Sequence, residues 1–172
     1  MDVTFARTGK RQYAVEVART NAPDVVMHPA PGFHEHVPHD LVHFFVETHW
    51  GLRDGVYGML AAGGDAHTFH DLSGDMRARR RMKVRNVHSG ADVGRSERLA
   101  GLVQHAWAVR HGGGSAPVNK HQLDEAGTDA EELARAADEL ARLGRRWHAL
   151  SVGGRLTLAW PWPERRGGRR AS

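Results

Sequence analysis

The sequence predicts an α+β fold: a small antiparallel sheet, made of an N-terminal three-stranded meander and a C-terminal hairpin, packed by about four helices. Three observations predict it. Apolar and polar residues alternate at period two near both ends of the chain. A helical period begins at His39 and returns in two later stretches. Strands come together and helices come together, without the strict β-α alternation of a parallel sheet.

Residues 2–8 and 11–19 read as a hairpin about Thr8-Gly9-Lys10-Arg11, with Val3 and Phe5, then Tyr13, Val15 and Val17, alternating with polar residues. Ala22-Pro23-Asp24 turns the chain into a third strand, residues 24–28, which completes a meander. Three prolines and a glycine then make residues 29–38 a loop of restricted backbone freedom, carrying His34 and His36.

From His39 to Trp50 the period is helical. At about 100° per residue, Leu41, Val42, Phe44, Phe45, Val46 and Trp50 cover one broad side, suited to lie across the sheet. His39, Asp40, His43 and Glu47 share an arc of roughly 100° on the other. Pro38 suits the first turn, and Asp40 there is favoured by the helix dipole. A second helix, residues 55–62, starts after Asp54 as its cap and stops at Gly63-Gly64. Asp65, His67, His70 and Asp71 follow in a loop as further candidate ligands.

Residues 72–90 read as irregular and hold six cations in nine positions: Arg77, Arg79, Arg80, Arg81, Lys83 and Arg85. A third helix spans residues 92–111 on a stripe of Leu99, Leu102, Val103, Ala106 and Val109, and glycines end it. A fourth starts at Thr128, with Glu131 completing a capping box, and ends at Gly144. Residues 147–151 and 155–160 flank Gly153-Gly154 as the second hairpin, stopped by Pro161 and Pro163. No linker divides the chain, so residues 1–163 are expected to form one domain, with 164–172 a disordered Arg-rich tail.

Composition narrows the chemistry. Hydrophobic residues make up 40% and charged residues 26% of 172, as in soluble globular proteins. No apolar run approaches the ~20 residues of a membrane span. The N-terminus lacks a basic region followed by a hydrophobic block, so a cytoplasmic protein is expected. There is no cysteine, which excludes disulfides, a thiol nucleophile and thiolate ligands. His, Asp and Glu remain as metal ligands. Five of the 13 histidines, His28, His34, His36, His39 and His43, fall between positions 28 and 43. Phosphate-binding glycine loops, a dinucleotide fingerprint and a Gly-x-Ser-x-Gly elbow are all missing from the sequence.

The spacing His39-Asp40-Leu41-Val42-His43 stands two imidazoles one above the other on a helix, where both can reach one ion. Glu47, one turn on, is a candidate third ligand, and His36 can complete the set from the loop. Asp40 lies where a carboxylate can take a proton from metal-bound water. The expected cofactor is Zn2+ or another divalent metal. These five residues resemble the His-Glu-x-x-His helix of zincin metallopeptidases. The resemblance implies that His39 and His43 bind zinc and that Asp40 occupies the general-base position, where the family has the longer Glu. It also implies a zinc-dependent hydrolase acting on a peptide or small-molecule substrate. A simpler reading pairs the two histidines with Asp40 and Glu47 on an ordinary polar helix face. The alternative function is a non-enzymatic interaction protein whose Arg77–Arg85 run contacts nucleic acid or an acidic partner.

Overall fold

The computed structural model describes residues 1–32, 34, 36–72, 75–77, 80, 82, 91–113 and 116–164. Within them the chain runs β1 (Asp2–Gly9), β2 (Gln12–Ala18), β3 (Val25–Met27), α1 (His39–His49), α2 (Val56–Ala61), β4 (His70–Asp71), α3 (Val93–Arg110), α4 (Lys120–Ala126), α5 (Ala130–His148) and β5 (Arg155–Ala159). The architecture is α+β: one antiparallel sheet in the order β4-β3-β2-β1-β5, packed by helices.

The N-terminal meander forms as the alternation requires, with Val3 opposite Val17, Phe5 opposite Val15, and Val15 opposite Met27. The C-terminal hairpin does not form. Trp147 and His148 belong to the last turns of α5, and β5 alone enters the sheet, pairing with the free edge of β1. That register sets Leu158 opposite Val3 and Leu156 opposite Phe5. Pairing there satisfies an edge that a local hairpin would have left open. At the other edge His70 and Asp71, expected in a loop, pair with β3.

Phe44 of α1 meets Phe5, Tyr57 and Trp160 at ring-centroid distances of 6.1, 5.0 and 6.0 Å, which seats the helix on the sheet. The second half of the polar arc of α1 does not face water. His43 and Glu47 are 4% and 0% exposed because α3 crosses that side and α2 closes its end. His49, at the end of α1, bonds Glu132 and Glu139 of α5 at 2.6 and 3.0 Å, tying the two helices together.

Two helix boundaries differ from expectation for physical reasons. Asp54 does not cap α2. The acceptor for its first amides is Glu47 of α1, and the Asp54 amide donates instead to Asp92 at 2.9 Å. Helix α5 is capped by Asp129 through the Glu132 amide, and it runs through Gly144 to His148. Gly144 is there for close approach: a Cβ would lie 3.1 Å from Val37 and 3.4 Å from His36. Helix α4 was not foreseen. It has its own capping box, Asn119 with Gln122, and ends on Gly127 in the left-handed region.

Glu164 binds the α-amino group of Met1 and the amides of Thr20 and Asn21, so it does not belong to a loose tail. Residues 165–172 lie outside the described residues. Of the basic run, Arg77 and Arg80 are described and exposed, whereas Arg79, Arg81, Lys83 and Arg85 lie outside. Among the described residues no helix is long and apolar enough to cross a membrane.

Candidate metal centre

The first turns of α1 bring His39 and His43 together, as four-residue spacing on a helix demands. Their Nε2 atoms are 3.0 Å apart, and their rings stand almost perpendicular, at 84°. The third member of the group comes from α3. Glu97 Oε2 lies 3.5 Å from His43 Nε2. His39, His43 and Glu97 each offer a ligand atom, and these atoms all lie within 4.8 Å of one another. Glu97's side chain is 58% exposed, so the group opens to solvent on the α3 side.

Glu47 and His36 are not brought into this group. Glu47 points away from it: Oε1 accepts the Val56 amide at 2.7 Å and the Ser96 hydroxyl at 3.2 Å, and Oε2 accepts the Tyr57 amide at 2.8 Å. Burial pushes its carboxyl up to about 7, against the pull of those hydrogen bonds. His36 lies flat on Trp107, 3.2 Å between centroids, and Trp107 in turn stacks on His111 at 4.3 Å. His36 and His111 are 6.5 Å apart, so the indole separates them. Burial, then the neighbouring His148, His34 and His111, lowers His36 to about 4.

Asp40 is engaged from β2, beside the loop before α1. Its carboxyl shares a short hydrogen bond with the Tyr13 hydroxyl, which also lies 2.5 Å from the Pro31 carbonyl. Burial raises Asp40 above the usual carboxylate range, and Tyr13 and His39 oppose that rise. The Tyr57 hydroxyl donates to the Asp40 backbone carbonyl at 2.9 Å.

His43 is the most enclosed member of the group. Burial, and then the adjacent His39, lowers it to about 4, while Glu97 pulls it up. It is therefore a neutral imidazole at neutral pH, the form that binds metals. Its Nδ1 sits 2.9 Å from the Ser96 hydroxyl. Ser96 is fully buried and reaches Glu47 on its far side. Sequence reasoning missed both α3 residues. A signal for them existed: Ser96 stands three and seven residues before Leu99 and Val103, a polar residue on the apolar stripe that needs a buried partner. Glu97 is simply its neighbour.

No family model, curated protein or solved structure matches this chain.

Proposed function

We propose that this protein binds a divalent cation, zinc foremost, through His39, His43 and Glu97, and uses it in hydrolysis of a small-molecule or peptide substrate. One observation carries the reading: two Nε2 atoms and a carboxylate oxygen converge at the crossing of α1 and α3. At zinc–nitrogen distances of about 2.0–2.1 Å, tetrahedral coordination separates two imidazole nitrogens by roughly 3.3 Å. The observed 3.0 Å needs an opening of only a few tenths of an ångström.

Two histidines and one carboxylate make the donor set of an open zinc site, in which a fourth position is left for water or substrate. The exposure of Glu97 provides the approach. A bound ion there would supply Lewis acidity and an activated water. Asp40 contributes beside His39 in place of acting on the water, because its carboxyl is engaged by Tyr13.

The test is zinc uptake by chelator-stripped protein, followed by calorimetry and elemental analysis. The parent is expected to take up one equivalent. His39→Ala is expected to take up none, and Glu97→Gln to bind more than ~10-fold more weakly. Equal zinc in His39→Ala and parent would overturn the reading and leave a hydrogen-bonded histidine pair.

A further inference from the structure

We infer that Ser96 and Glu47 are positioning residues that lock His43 in the Nδ1–H tautomer, which keeps its Nε2 lone pair turned to the candidate centre. The inference rests on the metal reading for its purpose, but its evidence is a chain of hydrogen bonds that can be followed from one end.

The chain starts at α2, where the direction of each bond is fixed. Backbone amides only donate, so Val56 N–H and Tyr57 N–H oblige the Glu47 oxygens to accept. With the Glu47 carboxylate ionised, as at pH 8, the Ser96 hydroxyl donates its single proton to Glu47 Oε1. Ser96 Oγ then has only lone pairs to offer the nitrogen 2.9 Å away, so His43 Nδ1 must carry a hydrogen. A neutral imidazole has one N–H, so His43 Nε2 is bare. That nitrogen is turned towards His39 and Glu97, and in the metal-free chain it accepts from His39 Nε2–H at 3.0 Å.

The opposite tautomer would place a hydrogen on Nε2, in the space an ion would take. It would also draw the Ser96 hydroxyl proton to His43 Nδ1 and so take from the buried Glu47 Oε1 one of its donors. The order of the relay thus runs from the N-terminus of α2 through α1 and α3 to the ring. Neither Ser96 nor Glu47 touches the candidate ion. Each acts through His43, as partners of metal-binding histidines do by holding the ring and its tautomer.

The experiment reads the tautomer of His43 in the metal-free, full-length protein at pH 8, by long-range nitrogen–proton correlation of the imidazole rings, with His43→Gln supplying the assignment. The parent is expected to show an Nδ1–H, Nε2-bare ring. Ser96→Ala is expected to show a mixture of tautomers and a zinc affinity lower by roughly 10–100-fold. Ser96→Thr, which keeps the hydroxyl, should retain the parent tautomer, so a folding defect in the alanine variant leaves a second readout. An Nε2–H ring in the parent, or an unchanged tautomer in Ser96→Ala, would overturn the inference even if zinc binds. An Nδ1–H ring that becomes mixed in Ser96→Ala supports the lock even where zinc uptake fails, and the failure then belongs to the metal reading alone.

Discussion

Gly55 is a glycine because Glu47 fills the space its side chain would need. A Cβ built there overlaps the carboxyl carbon and both oxygens of Glu47. Gly55→Ala should therefore push that carboxylate off the α2 amides. We expect a loss of about 2–3 kcal/mol, as for overpacking elsewhere, seen as a melting temperature lower by roughly 5–10 °C. A variant that melts with the parent would mean that Glu47 does not hold the N-terminus of α2. The same residue explains what sequence reading reached at the site. His39 and His43 were legible because their spacing alone sets their relation. Glu47 looked equally eligible, since period places it on the same arc, but period says nothing of what lies beside that arc. The amides of Val56 and Tyr57 occupy Glu47, and Glu97 arrives from another helix. Contacts between helices distant in sequence leave only indirect traces, such as a serine on an apolar stripe.

Elements were legible where local chemistry decided them and obscure where tertiary contact did. The meander, α1 and α3 follow from period and turn residues, and they stand close to their expected bounds. The end of α5 does not. Glycine at 144 reads as a stop, yet here it is an interior position kept small so that Val37 and His36 can lie against the helix. The C-terminal apolar run read as half a hairpin, yet the open edge of β1 captured β5. Helix α4 had a readable signature, Asn119 three residues before Gln122 with Gly127 behind, but only seven residues to show a period. Its cap should carry weight for that reason. Asn119→Ala is expected to cost about 1 kcal/mol, or roughly 2–4 °C in melting temperature. Zinc uptake should be unaffected, since α4 contributes none of His39, His43 or Glu97. An unchanged melting temperature would mean that the helix is held by Leu123 and Ala126 alone.

At the scale of the whole molecule, buried ionisable groups link folding to pH in two opposing directions. Glu47 holds its proton up to about 7 when folded, against 4.5 ordinarily. Between those values the folded chain binds the extra proton, so this group's contribution falls as pH rises. His43 and His36 do the reverse. Each is lowered from 6.5 to about 4. Between 6.5 and 4 the unfolded chain binds more protons, so stability present above 6.5 is lost as pH falls through that window. His36 isolates the effect, because it lies outside the candidate centre. Among the described residues it is faced by His34 of its own loop, Trp107 of α3, His111 just past the end of α3, and His148 of α5, with no carboxylate among these contacts to hold an imidazolium. Protonation there would set positive charge against further histidines where α3, α5 and the loop meet. His36→Gln keeps a polar side chain but removes the titration. Melting temperatures taken from pH 7.5 to 4.5 should fall less steeply in His36→Gln than in the parent, with the curves separating only below about pH 6.5. Parallel curves across the whole range would show that His36 can take its proton without disturbing the fold.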